Sequence, residues 1–339
     1  MSRHTPHTLD DIRALVAERP GPDTAAQAAA GAREPRLTKP PGSLGRLEDL
    51  AAWLAAWQGR HPPRVESPHA VIFAGNHGVA ARGVSAFPQS VTRQMVDNFV
   101  HGGAAVNQLC GACGVGLSVD ELTLDTPTAD FTRTAAMDAA ECVTAFSFGL
   151  RALERDIDLL CVGEMGIANT TSAAAVASGL FDRHAADWTG PGTGVEGSAL
   201  AHKVSVVEEG LARHRGHLGD PLEVLRRLGG RELAAMAGAV LAARLARVPV
   251  LLDGFVATAA AGVLYALAPD ALDHCRVAHA SAEPAHRRLV EAVDQEPLLD
   301  LGMRLGEASG AVLAVPLVRA AAACHAGMAT FDEAGVDGG

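Results

Sequence analysis

Five short apolar segments, each followed by a segment with helical spacing, constrain the fold of this 339-residue chain more than any other feature. They cover residues 69–75, 116–124, 158–164, 248–255 and 276–281, and four of them run directly into Gly, Asn, Asp or Ser. Buried strands that alternate with helices are typical of a parallel sheet with helices on both faces. The sequence therefore predicts a doubly wound, mostly parallel α/β fold.

The composition predicts how tightly such a fold packs. Hydrophobic residues make up 48% of the chain but aromatic residues only 4%, so the core must consist mainly of Ala, Val and Leu. Side chains this small suit helices that pack closely on a sheet. Before the first strand, leucines at helical spacing between Leu44 and Leu54 predict a helix over residues 43–57, with Ser43 as its candidate N-cap.

Charge and cysteine content exclude several classes of protein. The net charge of −11 argues against nucleic-acid binding, which needs a basic surface. The N-terminus lacks an apolar signal region, and the most apolar stretch, 233–252, is interrupted by Arg244 and Arg247, so we expect neither secretion nor a membrane span. Cys110 and Cys113 form a lone CxxC motif with no second pair at zinc spacing, which favours packing over metal or redox use. A cytoplasmic enzyme fits these features.

Polar residues follow most of the predicted strands. Asn76 and His77 come after the first strand, and Glu164 after the third. Asp253 ends the fourth strand segment and Ser281 the last. Because ligands bind beyond the carboxyl ends of parallel strands, we expect these residues to converge on one pocket.

Two glycine-rich segments have features of an anion site. Residues 163–180 run from a strand through a glycine loop to Thr170 and Thr171 at the start of a helix, where free N–H groups favour phosphate. An ordinary helix N-cap explains the same residues. Residues 190–203 end in Lys203, which is either a phosphate contact or a solvated lysine of a surface loop. Neither segment is a Walker A or GxGxxG motif.

Glu307 lies among glycines and small residues just before an apolar run. Apolar surroundings raise the pKa of a carboxyl group, which suits a general base, although a first-turn helical Glu explains the pattern as well. No GxSxG or HExxH motif is present, and His214 and His217 lie in an Arg-rich stretch where we expect solvated side chains.

Six segments in order resemble the nicotinate-nucleotide–dimethylbenzimidazole phosphoribosyltransferase family along nearly the whole chain. They are TKPPGSLGRLEDLA (38–51), HGVAARGVSAFPQSVTRQMV (77–96), VGEMGIANTTSAAA (162–175), PVLLDGFVATAAA (249–261), HASAEPAH (279–286) and MRLGEASGAVLA (303–314).

The resemblance implies a reaction and its residues. A benzimidazole nitrogen attacks C1′ of nicotinate mononucleotide, nicotinate leaves, and α-ribazole 5′-phosphate forms with inversion at C1′. Glu307 matches the catalytic base and Glu164 the second active-site carboxylate. The positions that match residues around the nucleotide, chiefly its phosphate, are Gly166, Asn169, Thr170, Thr171, Lys203 and Ser281.

The resemblance also implies an organisation for the chain. A Rossmann-like catalytic domain over residues 65–310 is expected, with a small helical domain built from residues 1–64 and 311–339. The family carries no metal or organic cofactor and is usually a homodimer.

The segment that contacts the benzimidazole departs from the family pattern. Asn76 stands where a version of the family has Asp, while Phe87 and Met95 stand where it has Ser and Gln. Ser85 and Gln94 lie close by and are candidate substitutes. Leu305 and Gly306, beside Glu307, complete the candidate substrate contacts. The preferred base therefore stays open.

Three other functions compete with this interpretation. The first is the same reaction with another aromatic base, such as adenine or a different benzimidazole. The second is non-catalytic binding of the nucleotide or the base, which would not require the carboxylates of Glu164 and Glu307. The third is a nucleotide-dependent oxidoreductase, which the missing GxGxxG motif disfavours.

Overall fold

A computed structural model describes residues 5–153, 156–181 and 184–337. The strands are β1 Pro68–Ala74, β2 Gly116–Glu121, β3 Leu159–Met165, β4 Val250–Leu252 and β5 Cys275–Val277. The helices are α1 Leu9–Ala17, α2 Thr24–Arg33, α3 Arg46–Gln58, α4 Ser90–Val100, α5 Ala105–Cys113, α6 Ala139–Gly149, α7 Asn169–Phe181, α8 Ala185–Trp188, α9 Gly197–His214, α10 Pro221–Leu228, α11 Arg231–Ala246, α12 Phe255–Leu267, α13 Pro284–Ala292, α14 Ser309–Gly327 and α15 Phe331–Ala334.

The strands form a single parallel sheet in the order β2-β1-β3-β4-β5. Val71 of β1 pairs with Ser118 of β2 on one side and with Val162 of β3 on the other. Each predicted apolar segment contributes a strand, so the predicted parallel α/β fold is confirmed. The chain order reverses at β1, which makes the crevice beyond the carboxyl ends of β1 and β3 the expected ligand site.

Side chains of the central strands alternate between two apolar cores, one on each face of the sheet. Val71 and Phe73 contribute to the core formed with α6, α7, α11 and α12. Ala70 and Ile72 contribute to the core formed with α3, α5 and α14. Both faces are therefore covered by helices, as a doubly wound fold requires.

Small residues allow the helices to approach one another closely. Gly149 of α6 lies against the backbone carbonyl of Ala235 in α11, and Gly238 of α11 lies against that of Phe146 in α6. A Cβ atom at either glycine would overlap the opposite carbonyl group. This contact confirms the close packing that the composition predicts.

The helix predicted over 43–57 is present but begins later than its sequence pattern indicates. α3 starts after Gly45, which has a positive φ of 53° and is the N-cap residue in place of Ser43. The N–H of Ser43 instead donates to the carbonyl of Pro40, 3.1 Å away, in a preceding turn. The Ser43 prediction is wrong because this proline-containing turn delays the first helical residue.

β4 and β5 are shorter than the apolar segments that contain them. Beyond Leu252 the chain leaves the sheet, and Asp253 turns toward the start of α14. Beyond Val277 the backbone pairs with a later segment, since the N–H of Ala280 donates to the carbonyl of Leu299 at 2.7 Å. These departures create the loops that surround the cavity described below.

Helices from both ends of the described chain pack together, but they also cover the sheet. Leu54 of α3 and Val315 of α14 share one core with Ile72 of β1. The division into a small helical domain and a catalytic domain stays a prediction, and the outermost residues of the predicted helical domain lie outside the described ranges.

α14 is long and apolar enough to span a membrane by length and composition, but half of it is buried within the protein.

Two predictions about single residue types have different outcomes. His217 is exposed as expected, but His214 is buried and its Nε2 lies 2.8 Å from the carbonyl of Phe131, so the prediction of a solvated His214 is wrong. Cys110 and Cys113 are free, buried thiols on α5. Burial raises the pKa of Cys110 to about 11, which favours the packing interpretation.

Candidate active site

A cavity of about 690 Å³ opens beyond the carboxyl ends of the central strands. This volume is typical of a small-molecule site. The predicted residues that line it are Phe87, Met95, Glu164, Gly166, Asn169, Thr170, Ser281, Leu305, Gly306 and Glu307. Of the five strand-end residues expected to converge on one pocket, Glu164 and Ser281 line this cavity, whereas Asn76, His77 and Asp253 do not.

Glu164 lies near the end of β3, in the wall of the cavity. The side-chain amide of Asn169 donates a hydrogen bond to its Oε2 atom. Burial, followed by the negative charge of Asp253, raises the pKa of Glu164 to about 8. Gly306 passes directly over the carboxylate with a φ of 84°, and any side chain there would overlap Glu164.

Glu307 lies directly before α14 and is only 6% exposed. Its φ of 61° and the φ of 60° at Ala308 are both in the left-handed region, which is unfavourable for residues with a side chain. Burial, followed by the charge of Asp253, raises the pKa of Glu307 to about 7. A strained backbone that presents a carboxylate with a near-neutral pKa is typical of a functional residue.

Asp253 lies behind the cavity rather than in its wall. Its Oδ1 atom accepts hydrogen bonds from the N–H groups of Gly310 and Ala311, at 2.7 and 3.0 Å. Two of the free N–H groups at the start of α14 are thereby satisfied, and the first turn is fixed just after Glu307. Asp253 thus positions Glu307 and adds a buried negative charge near both glutamates.

The start of α7 and Lys203 form a second polar region of the site. The Lys203 ammonium donates to the hydroxyl of Thr170 and to the carbonyl of Gly190, both at 2.9 Å. Burial lowers the pKa of Lys203 to about 8, and the charge of Glu283 acts in the opposite direction. Lys203 is only 1% exposed, so it is not the solvated lysine of a surface loop.

The remaining predicted residues lie beside or behind the cavity. Thr171 is fully buried, and Gln94 is exposed on α4. The side-chain amide of Asn76 donates to the carbonyl of Leu124 at 2.8 Å. His77 lies between Glu232, with its Nε2 atom 2.5 Å from Oε1, and the hydroxyl of Ser172, 2.9 Å from its Nδ1 atom. Asn76 and His77 therefore fix the loop after β1.

Comparisons with known proteins agree with this geometry. A family model described as a phosphoribosyltransferase matches residues 20–336. The chain belongs to this phosphoribosyltransferase family. Curated relatives from Brucella anthropi and Sinorhizobium medicae, both named nicotinate-nucleotide–dimethylbenzimidazole phosphoribosyltransferase, are 56% and 59% identical over 97% of both chains. A solved structure of such an enzyme from Thermus thermophilus has 42% identity and a TM-score of 0.86, covering 94% of this chain and 100% of that one.

One wall of this cavity is apolar. Phe87, Val91 and Met95 line it from the loop before α4 and from α4 itself. Leu305 lines the cavity from the loop that carries Glu307. Phe87 and Leu305 are 53% and 55% exposed, and together with Val91 and Met95 they give this wall an apolar surface that suits an apolar ligand.

Several lining residues of this phosphoribosyltransferase were missed from the sequence. Glu283 is buried, and its Oε2 atom accepts from the N–H of Gly192 at 3.2 Å, while its Oε1 atom has no hydrogen-bond partner. His279 is buried with both ring nitrogens unpartnered, 3.6 Å from Asp253. Both follow β5, where polar residues were already expected to face the pocket. Thr193 and Arg304 also line the cavity; both lie in segments that the sequence singles out, 190–203 and 303–314, but nothing in the sequence distinguishes these two side chains from their neighbours.

The arrangement supplies what acid–base chemistry on an anionic aromatic substrate requires. Two carboxyl groups with raised pKa values lie near an apolar wall, and a buried ammonium lies at the start of α7. Within the described residues, no group of three or more metal-ligating side chains is present. The expected lack of a metal or cofactor stays a prediction.

Proposed function

We propose that this protein transfers the 5-phosphoribosyl group of nicotinate mononucleotide to 5,6-dimethylbenzimidazole, giving α-ribazole 5′-phosphate and nicotinate with inversion at C1′. The observation that carries the proposal is Glu307, whose pKa of about 7 suits a general base, beside an apolar wall that fits an aromatic ring. The named activity of relatives 56–59% identical over nearly the full chain supports the same reaction.

In this proposal the phosphate binds at the start of α7. Gly166, Asn169, Thr170 and Ser281 line that part of the cavity, and Lys203 reaches it through Thr170. A helix N-terminus offers free N–H groups and a partial positive charge, and the ammonium adds a charge-assisted hydrogen bond. Thr171, which is buried, acts through the packing of α7.

The aromatic base lies against Phe87, Val91 and Met95. An edge of the ring then faces the carboxylate of Glu307 near Leu305 and Gly306. Stacking and contacts with the polarizable methionine sulfur provide affinity here, and hydrogen bonds contribute less. Ser85, Gln94, Asn76 and His77 shape this side of the site from outside the cavity.

The reaction needs one proton acceptor. As the benzimidazole nitrogen bonds to C1′, the bond from C1′ to the pyridinium nitrogen breaks, and its electron pair returns to the nicotinate ring. The leaving group departs neutral at the ring and needs no acid. The N–H proton of the base becomes strongly acidic once the other nitrogen is bonded, and Glu307 accepts it.

Glu164 stabilises the positive charge that develops on the ribose. In the protein without substrate, the pKa of Glu164 is about 8. A cationic pyridinium nearby favours the ionised carboxylate and lowers that pKa. Substrate binding therefore places a carboxylate beside the developing cation, which is the electrostatic stabilisation that such a transition state requires.

Another aromatic acceptor is the main alternative within the family, because Phe87 and Met95 replace polar residues of a related version. A protein that only binds the nucleotide or the aromatic base has no use for a base at Glu307.

We also propose, from the sequence, that the enzyme is a cytoplasmic homodimer. Sedimentation at several protein concentrations tests the oligomeric state.

The decisive experiment incubates the protein with nicotinate mononucleotide and a panel of bases. The panel contains 5,6-dimethylbenzimidazole, 5-hydroxybenzimidazole and adenine, and mass spectrometry detects the riboside phosphates. We expect the dimethylated base to give the highest kcat/KM, because the wall is apolar. Equal or better use of the hydroxylated base would show that the base site is wrongly described, and absence of any riboside phosphate would overturn the reaction itself.

A further inference from the structure

Residues 190–194, with the sequence Gly-Pro-Gly-Thr-Gly, contact both the phosphate side and the base side of the cavity, and we call them the strap. Gly192 and Gly194 have φ values of 53° and 112°, which only glycine adopts without strain. The backbone conformation of the strap therefore requires glycine at these two positions.

Three hydrogen bonds hold the strap on the phosphate side. The Lys203 ammonium donates to the carbonyl of Gly190 at 2.9 Å, and the N–H of Gly192 donates to Glu283 at 3.2 Å. The guanidinium of Arg304 donates to the carbonyl of Gly192 at 3.2 Å. A Cβ atom on Gly192 would overlap the hydroxyl of Thr170, so the strap lies directly against the start of α7.

The side chain of Thr193 joins the strap to the base side. The Thr193 hydroxyl lies 2.9 Å from the hydroxyl of Ser85 and accepts a hydrogen bond from the N–H of Ala86 at 3.2 Å. The next residue, Phe87, lines the apolar wall of the cavity. A displacement of Thr193 therefore moves the segment that presents Phe87.

We propose that Thr193 is a positioning residue that couples the two substrate subsites, so that an occupied phosphate subsite changes the affinity for the aromatic base. The identity of the two ligands rests on the proposed function. Lys203 donates to Thr170 and Gly190, which leaves the third N–H of its ammonium for a phosphate oxygen, and a new bond to that oxygen shifts the ammonium. The phosphate therefore alters the bond that fixes Gly190, and the strap transmits this change to Ser85 and Ala86.

Such coupling is measurable as a ratio of two dissociation constants. Calorimetry gives the Kd for 5,6-dimethylbenzimidazole without, and then with, saturating ribose 5-phosphate, which fills the phosphate subsite but carries no leaving group. We expect the two values to differ at least about fivefold in the wild-type protein, the lower end of typical coupling between sites. In Thr193→Val, which keeps the size of the side chain but loses the hydroxyl, we expect a ratio of about one.

Two further variants separate this role from a general structural effect. Thr193→Ser restores the hydroxyl and should restore the ratio. Thr189→Val makes the same chemical change four positions earlier, where the hydroxyl donates to the carbonyl of Ala185 at 2.8 Å, outside the strap, and should leave the ratio at its wild-type value.

A wild-type ratio of one, or an unchanged ratio in Thr193→Val, would overturn the proposal. Loss of base affinity by the same factor with and without ribose 5-phosphate would overturn it as well. The proposed function is tested separately by riboside phosphate formation, so a protein that makes the product but shows no coupling refutes the strap alone. A protein that shows coupling without making product refutes the reaction alone.

Discussion

Replacing Glu307 by Gln removes the proton acceptor while it keeps the size of the side chain and one hydrogen-bond acceptor. A positioned general base contributes about 10²–10⁴-fold to the rate, or about 3–5.5 kcal/mol at 1.36 kcal/mol per decade. The proposed phosphate contacts are Lys203 and Thr170 rather than Glu307, so nucleotide binding should change little. We therefore expect kcat to fall at least about a hundredfold at neutral pH with a nearly unchanged KM for nicotinate mononucleotide.

The pH profile of this variant tests the role more sharply than the rate. With a pKa of about 7, Glu307 is about half ionised at pH 7 and about one-tenth ionised at pH 6, so its ionisation alone should lower the wild-type kcat/KM about fivefold over that interval, in addition to the loss caused by protonation of Glu164. Only the ionised form accepts a proton, and activity is therefore lost as the pH decreases. In Glu307→Gln the fivefold component due to Glu307 should be lost, and only the loss due to Glu164 should remain.

The matched control is Glu164→Gln, which removes the other raised carboxyl group. This variant should be slower, because the developing cation loses a stabilising charge, but its acidic limb near pH 7 should persist. Steady-state assays of riboside phosphate formation from pH 5.5 to pH 9 measure both profiles. Near-wild-type turnover by Glu307→Gln would refute the reasoning and make Glu164 the candidate base.

Lys203→Ala should raise the KM for nicotinate mononucleotide about 10- to 150-fold, since a hydrogen bond to a charged group contributes about 1.5–3 kcal/mol; an unchanged KM in steady-state assays would remove Lys203 from the phosphate site. Asp253→Asn keeps an oxygen for the N–H groups of α14 but removes the charge that raises the pKa of Glu307. In Asp253→Asn the acidic limb of the pH–rate profile should therefore move to lower pH. A limb that stays in place would show that the charge of Asp253 does not raise the pKa of Glu307. Gly310→Ala should lower the unfolding free energy by about 1–3 kcal/mol in denaturant titrations, because a Cβ atom there would overlap His279. A variant as stable as the wild type would show that the backbone yields at this position.

The fold was predictable because buried parallel strands have a short-range signature. Continuous apolar runs such as residues 69–75 bury both faces of β1, and no other element of that length explains them. The start of α3 was not predictable in the same way. Ser43 is a favoured N-cap residue, yet the preceding Pro40 and Pro41 set a turn whose geometry depends on tertiary contacts.

The site was predictable where chemistry follows a strand end and less so where it depends on contacts between distant loops. Glu164 and Ser281, which follow strand segments, line the cavity as expected, and so does Glu307, which its apolar surroundings and the family resemblance indicated. Asp253 also follows a strand, but it turns toward the N–H groups of α14, which no local pattern indicates. Thr193 gains its position through a hydrogen bond to Ser85, 108 residues away in sequence, so sequence spacing carries no information about it.

The electrostatics of the cavity suit a substrate whose own charge disappears during the reaction. Without substrate, Glu164 and Glu307 have pKa values of about 8 and 7, so both are partly protonated at neutral pH. A pyridinium cation favours their ionised forms, and binding of the nucleotide thereby generates the base that the reaction needs. When nicotinate leaves, the positive charge of the ring is lost, and at the same time the proton of the benzimidazole neutralises Glu307. Glu307 thereby returns to its protonated form, and no ion pair between these carboxylates and the neutral ring remains to delay the release of nicotinate.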